Sequence, residues 1–221
     1  MIKNKFRVNY SLTTEKFFFM NSISTFLRFF FAVMESSCSF FRILKLKLLY
    51  PGITIDFKTT IQRNCSLVCV KGGRLIIERS HISTGTLIKA DSKSTLFIYN
   101  SFIGRNCVIT AKEKIVINEN CLIAEMVVIR DQDHIIDIAI ENSNRNNFNI
   151  APIEIKENVW IASKATILKG VTIGENSVVA ASAVITKNIP PCEVWSGIPG
   201  RFLKKISAGN GIKIASQIPP K

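Results

Sequence analysis

The segment that decides the fold runs from Ile153 to Ile185 and reads IEIKENVWIASKATILKGVTIGENSVVAASAVI. Every sixth residue of this segment is β-branched and aliphatic: Ile155, Ile161, Ile167, Ile173, Val179 and Ile185. Two residues before each of them lies a second apolar or small residue: Ile153, Val159, Ala165, Val171, Ser177 and Ala183. Because side chains alternate across a strand, both members of a pair face inward and the residue between them faces outward. The pattern predicts very short strands, joined by turns, whose stacked repeats supply one another's core, and it does not fit the 3.6-residue period of a helix.

The six-residue spacing continues upstream in shorter runs. These runs are Ile55, Ile61 and Leu67; Ile76, Ile82 and Ile88; Ile103 and Ile109; and Ile117, Ile123 and Ile129. The phase is lost around Gly72-Gly73 and from Asp91 to Thr95, where irregular turns or bulges are expected. The repeat therefore extends over most of residues 51–206, which we interpret as one β-helix domain.

Composition and charge narrow the function classes. With 221 residues and 47% hydrophobic residues, the chain has enough apolar material for a core, which excludes a disordered protein. The formal charge of +13 suits an anionic partner. Nucleic acid is not expected, because the basic residues are not interleaved with aromatic residues outside the N-terminal segment. Two histidines cannot form a three-histidine zinc site within one chain, and no metal requirement is predicted.

The N-terminal segment, residues 1–50, differs from the rest of the chain. It holds ten of the fifteen phenylalanines and eight Lys or Arg against two acidic residues, with apolar residues near helical spacing from Phe26 onward. We predict one or two amphipathic helices, and Arg28 argues against a transmembrane span. One interpretation is a helical cap that packs its Phe face onto the end of the main domain. The other is an interfacial helix in peripheral contact with an anionic membrane.

The six cysteines show no paired CxxC spacing, and the chain does not open on a signal-like sequence. Reduced thiols and a cytoplasmic location are expected. Cys65, Cys107 and Cys121 fall at inward positions of the repeat, where packing is the expected role and nucleophilic catalysis is not. Residues 207–221 are interpreted as a C-terminal tail.

The repeat is interrupted between Ile129 and Ile153, which predicts a loop over about residues 130–152. This loop contains His134 and nearby aspartates. Transfer of an acyl group from a thioester to a hydroxyl needs a base that removes the hydroxyl proton, and imidazole suits that task. Asp131, Asp133 or Asp137 could accept the other imidazole N–H and fix its tautomer, and a backbone carbonyl would serve equally.

Four motifs resemble the hexapeptide-repeat acyltransferases, in particular the acetyl-CoA-dependent sugar and polysaccharide O-acetyltransferases. They are DQDHIID at 131–137, ENVWIA at 157–162, ILKGVTIGENSVVAASAVITKNIPP at 167–191 and GIPGRFLKKI at 197–206. The resemblance implies an all-β fold: a left-handed parallel β-helix with about 18 residues per coil, an N-terminal helical segment and a catalytic loop excursion. It also implies a homotrimer with active sites between neighbouring subunits, and acetyl-CoA as the acyl donor.

The same resemblance implies roles for individual residues. His134 is the general base, Trp160 lies beside the thioester, and the amide of Ser163 stabilises the oxyanion. The remaining coenzyme A contacts are expected at Ala181, Thr186, Lys187, Arg201 and Lys204.

The expected reaction is acetyl transfer from acetyl-CoA to a glycan hydroxyl, in a capsule, O-antigen or related polysaccharide. Lys112 and Glu113 stand where the simple-sugar enzymes carry an acid, so the acceptor pocket is not expected to be that of a small galactoside enzyme. Two alternatives stay open: N-acetylation of a nucleotide-linked amino sugar, and a β-helix scaffold without catalysis.

Overall fold

The computed structural model describes residue 34, residues 38–135 and residues 147–206. The chain divides into two compact units, residues 1–38 and residues 39–221. Of the first unit, only Met34 and Cys38 are among the described residues. The second unit contains a left-handed parallel β-helix of about six turns. The predicted fold class is confirmed.

Three parallel sheets form the faces of the β-helix. Face 1 consists of β1 (Ile53–Ile55), β4 (Arg74–Glu78), β7 (Thr95–Tyr99), β10 (Lys114–Ile117), β15 (Ile153–Ile155) and β18 (Thr172–Ile173). Face 2 consists of β2 (Thr60–Ile61), β5 (His81–Ile82), β8 (Phe102–Ile103), β11 (Leu122–Ile123), β16 (Trp160–Ile161), β19 (Val178–Val179) and β21 (Glu193–Ser196), with β22 (Arg201–Lys205) added antiparallel at its end. Face 3 consists of β3 (Ser66–Cys69), β6 (Leu87–Ala90), β9 (Val108–Ala111), β12 (Val128–Arg130), β17 (Thr166–Ile167) and β20 (Val184–Ile185).

The inward ladder of the decisive segment forms the core of the last coils. Ile155, Ile161, Ile167, Ile173 and Ile185 are each 0% exposed. Each strand is too short to bury a face alone, so the core exists only because neighbouring coils stack in register. Burying one such aliphatic side chain is worth roughly 1.5–3 kcal/mol.

One position of the upstream repeat was predicted wrongly. The six-residue spacing places Ile76 inward, but Leu75 and Ile77 are the fully buried residues of β4 and Ile76 lies between them on the outer side. The turn before β4 holds Gly72, at a φ of +88°, and Gly73, whose amide donates to the carbonyl of Val70. The error itself arises after β4, where the inward residues Ile77 and Ile82 are only five positions apart. A count of six back from Ile82 therefore lands on the outer side of the strand.

The extra residues of the long coils all fall at the corner where face 3 passes into face 1, which we call the 3–1 corner. The partners Glu154 and Thr172 are 18 residues apart, whereas Ile53 and Leu75 are 22 apart. The connections at this corner cover residues 70–73, 91–94, 112–113 and 131–152. Both predicted phase slips and the predicted loop therefore lie at one edge of the solenoid.

A helix over residues 38–49 covers the N-terminal end of the β-helix. The hydroxyl of Ser39 accepts the N–H of Ile61 at 2.8 Å, and Arg42 donates to the carbonyl of Ile61 at 2.8 Å. These bonds satisfy backbone groups at the free edge of β2, while Ile43, 1% exposed, packs onto the core. The packing of the Phe face stays a prediction, because most of its phenylalanines lie outside the described residues. Of the two in the helix, Phe40 stacks on Phe57 with ring centres 5.2 Å apart, and Phe41 is 66% exposed.

Burial sets the chemistry of the interior thiols. It raises the pKa of Cys107 to about 11 and that of Cys121 to about 12. A thiol with so high a pKa is almost fully protonated near neutral pH and is a poor nucleophile. All six cysteines are free.

Candidate active site

The loop excursion begins on a buried carboxylate. Asp131 is 0% exposed, and its oxygens accept the backbone N–H groups of Lys112 at 2.8 Å, Glu113 at 2.8 Å and Lys114 at 2.9 Å. Burial raises the pKa of Asp131, and these hydrogen bonds oppose that rise. All three partners are donors, which suits the ionised form. Asp131 therefore fastens the base of the excursion to the 3–1 corner of the preceding coil.

His134 lies at the end of a short antiparallel hairpin that projects from this corner. The hairpin joins β13 (Gln132–His134) to β14 (Phe148–Ile150), and His134 is the register partner of Phe148. The imidazole is exposed, with its ring centre 4.3 Å from that of Phe148. On the same aromatic ring, the ammonium of Lys112 lies 3.9 Å from the centroid. The hairpin thus presents an accessible imidazole supported on one side by a ring.

The three aspartates named as orienting candidates occupy different settings. Asp131 is engaged by backbone amides, as described above. Asp133 forms an ion pair of 2.5 Å with Lys169, which ties the hairpin to the turn after β17. Asp137 lies outside the described residues. Among the described residues, no hydrogen bond joins His134 to a carboxylate.

Trp160 and Ser163 lie near a different corner, between faces 2 and 3, which we call the 2–3 corner. Trp160 is the outward residue of β16, half-buried between its register partners Leu122 and Val178. The flanking amides of Ala162 and Lys164 donate to the carbonyls of Val179 and Glu125.

The amide of Ser163 makes no hydrogen bond within the described part of the chain. A fixed and unengaged backbone N–H on a rigid corner is a suitable donor to a developing oxyanion.

Ala181 occupies the same corner one coil further on. It is exposed, and the next residue, Ser182, donates its amide to the carbonyl of Ser163 at 2.9 Å. The small side chain of Ala181 leaves the backbone of this corner open to a ligand. Thr186 and Lys187, both exposed, follow β20.

The basic end of the described chain is held beside β20. Gly197 accepts the amide of Val184 at 3.1 Å, and Gly200 donates to the carbonyl of Val184 at 2.7 Å. From there β22 carries the exposed side chains of Arg201 and Lys204. The cations expected to meet coenzyme A therefore occupy the last coils, on the far side of the excursion from the N-terminal end.

One chain does not bring the two clusters together. Face 3 separates the 2–3 corner, with Ser163, from the 3–1 corner, where Lys169 pairs with the hairpin. Ser163 and Lys169 are six positions apart in the chain, and the two-residue strand β17 lies between them. Within the described chain, His134 and Ser163 therefore lie at different corners of the solenoid.

Sequence reasoning missed a cavity at the 3–1 corner. An open cavity of about 500 Å³ is lined by Val70, Lys89, Asp91, Ser92, Lys112, Phe148 and Ile150. The sequence signal for this cavity is that the two phase slips and the predicted loop all fall between a strand of face 3 and the next strand of face 1. Three irregular connections are thereby placed at one edge of the solenoid.

Two further properties concern the described residues alone. Over residues 38–135 and 147–206, no three His, Cys, Asp or Glu side chains converge in a way that could hold a metal ion. In the same ranges, no helix has both the length and the apolarity needed to cross a bilayer.

Comparison with known proteins adds family information to this geometry. Residues 152–187 match the family described as bacterial transferase hexapeptide (six repeats). The chain is 37% identical to the galactoside O-acetyltransferase of Escherichia coli over 109 residues, which cover 49% of this chain and 52% of that protein. The chain spans about half the length of the curated relatives it matches.

Two solved structures resemble the fold. A hexapeptide-repeat acetyltransferase from Vibrio cholerae, complexed with acetyl coenzyme A, is 27% identical, with a TM-score of 0.52 over 60% of this chain and 71% of that chain. An N-acyltransferase from Bacillus cereus is 17% identical, with a TM-score of 0.58 over 74% of this chain and 88% of that chain, a likeness of fold alone.

Proposed function

We propose that this chain, which carries a hexapeptide-repeat transferase domain, transfers an acetyl group from acetyl-CoA to a hydroxyl of a glycan. The observation that carries the proposal is the exposed imidazole of His134 on a hairpin anchored to a rigid solenoid. The similarity to a sugar O-acetyltransferase and to a structure holding acetyl coenzyme A supports the choice of donor and acceptor. Free cysteines throughout the chain support a cytoplasmic setting.

In the proposed step, a nitrogen of His134 accepts the hydroxyl proton as the oxygen attacks the thioester carbonyl. The resulting tetrahedral oxyanion accepts a hydrogen bond from the amide of Ser163. Collapse breaks the carbon–sulfur bond, and the leaving thiolate of coenzyme A takes the proton held by His134. The acetyl ester and free coenzyme A account for every atom, and no acyl-enzyme forms.

The proposed assembly is a homotrimer with one active site at each junction between chains. Its support is the separation described above: His134 and Ser163 lie at different corners of one solenoid. Packing solenoids side by side would set the 3–1 corner of one chain against the 2–3 corner of its neighbour. The exposed hairpin of one chain would then meet the outward side of face 2 around Trp160 of its neighbour.

The coenzyme A contacts in this proposal follow the chemistry of the ligand. Its pyrophosphate and ribose phosphate need cations, which Lys187, Arg201 and Lys204 would supply. Thr186 offers a hydroxyl, and Ala181 lets the pantetheine arm pass close to the backbone. Trp160 would pack against the thioester end.

Transfer of radiolabelled acetyl groups tests the function. With purified protein, we expect label to appear in polysaccharide acceptors and not in nucleotide-linked amino sugars, because the proposed nucleophile is a glycan hydroxyl and not a sugar amine. Calorimetry with coenzyme A alone should detect binding that Arg201→Ala weakens. Label in the amino sugar alone would favour N-acetylation, and absence of any coenzyme A binding would leave only the scaffold.

A peripheral membrane contact through residues 1–50 is a further part of the proposal. In the described helix, Phe41 is 66% and Leu48 is 77% exposed, next to the exposed cation Lys45. Such a face suits an anionic bilayer surface. Sedimentation with phosphatidylglycerol vesicles should recover the protein and Phe41→Ser should reduce the bound fraction; equal sedimentation with neutral phosphatidylcholine would contradict the electrostatic part.

A further inference from the structure

The cavity at the 3–1 corner lies directly beside the hairpin that carries His134. Its floor comes from three successive coils, through Val70 after β3, Lys89 and Asp91 at the end of β6, and Lys112 after β9. Its wall comes from the hairpin, through Phe148 and Ile150 of β14. A volume of about 500 Å³ is within the usual range for small-ligand sites and has room for a sugar residue.

The charges of the cavity do not cancel. Asp91 accepts from the ammonium of Lys89 at 2.7 Å and from that of Lys112 at 3.1 Å. Partial burial acts to raise the pKa of Asp91, but the hydrogen bonds and charges of the two lysines outweigh it, so the pKa lies below its ordinary value. Two ammonium groups thus share one carboxylate, and the described lining carries a surplus of one positive charge.

The remaining wall is apolar. Phe148, Ile150 and Val70 supply this apolar lining, and such surfaces suit the C–H face of a sugar ring. The ring of Phe148 also links the cavity to the base, since Lys112 and His134 both lie within 4.3 Å of its centre. A group bound to Lys112 is therefore about one sugar residue away from the imidazole.

We propose that this cavity binds the carboxylate of an acidic sugar in the acceptor glycan, with Lys89 and Lys112 as its ligands. The inference rests on the proposed acetyl transfer and names its substrate class. A single surplus charge matches a monoanionic carboxylate better than a dianionic phosphate. Phe148 then holds the sugar ring so that a hydroxyl of the same or the neighbouring residue meets His134.

Titration calorimetry in the absence of acetyl-CoA tests the assignment. Trigalacturonate should bind, and its methyl ester, which has the same shape without the charge, should bind at least about tenfold more weakly. In competition, glucuronate should displace the trisaccharide more effectively than glucose 6-phosphate. Equal affinity for acid and ester, no binding of trigalacturonate, or stronger competition by the phosphate would overturn the proposal.

Variants of the full chain locate the binding. Lys112→Met and Lys89→Met should each weaken trigalacturonate binding about tenfold, whereas Asp91→Asn should strengthen it because the surplus charge increases. The matched control is Lys114→Met, an exposed lysine two residues from Lys112 whose side chain does not line the cavity. Unchanged affinity in both cavity variants, with unchanged melting temperatures, would refute the site.

The outcomes also separate this inference from the function beneath it. Charge-dependent binding without any acetyl transfer would keep the cavity and remove the enzyme. Acetyl transfer to neutral glycans alone, with no charge-dependent binding, would keep the enzyme and remove the cavity.

Discussion

Replacing His134 with alanine should lower the rate of acetyl transfer by about 10²–10⁴-fold, the usual contribution of a general base. The side chain is exposed, with its ring beside that of Phe148 on a hairpin outside the solenoid core, so its loss leaves no cavity in that core. We therefore expect the melting temperature to stay close to that of the original protein. Affinity for coenzyme A should also be unchanged, because the proposed cofactor contacts lie in other coils.

The measurement is turnover with labelled acetyl-CoA at saturating donor and acceptor. Asn149→Ala is the matched control, since Asn149 is an exposed residue of the same hairpin and the register partner of Asp133. Turnover within a few-fold of the original in the His134 variant would rule out the proposed mechanism. A comparable loss in the Asn149 variant would point to the hairpin's shape instead of its imidazole.

Replacing Asp131 with alanine should cost about 3–5 kcal/mol of unfolding free energy, because three backbone N–H groups lose their acceptor in a buried corner. The same change releases the base of the hairpin from Lys112, Glu113 and Lys114. We expect activity to fall with stability, since His134 follows Asp131 by three residues on this hairpin.

Denaturant unfolding measures the stability effect, and Asp133→Ala is its matched control. Asp133 is partly exposed and pairs with Lys169 at the surface, where such a pair is worth about 0–1 kcal/mol. If the two variants were equally stable, the amide-bound carboxylate would not anchor the excursion. Asp131→Asn should also destabilise the protein, since its amide keeps one acceptor oxygen and sets an NH2 donor against a backbone N–H that the carboxylate accepts.

The neighbouring residues 131 and 133 show where sequence reasoning stops. Both were predicted as partners for the imidazole, on equal grounds, because both lie close to His134 in the chain. Only the preceding coil makes them different: its corner directs three amides at one carboxylate and none at the other. Chain proximity gives no information about what an adjacent coil presents.

Lys112 shows the same limit for the acceptor site. In the sequence, Lys112 stands at a position where the simple-sugar enzymes carry an acid. Nothing in the sequence connects it with Lys89, Asp91 or Phe148. These residues come from separate coils and from the far strand of an excursion. Stacking brings them around one cavity.

The sequence by itself determined the repeat, the inward ladder of the last coils and the place where the chain leaves the solenoid. A six-residue period with alternating burial is local information, and one geometry satisfies it. Only the tertiary structure decided that all the irregular connections share one corner, that Ile76 faces outward and that the imidazole and the Ser163 amide occupy different edges of one chain. These properties depend on how many residues each turn adds to its coil. The hydrogen bonds between neighbouring coils decide that number, and the residues of a single coil do not.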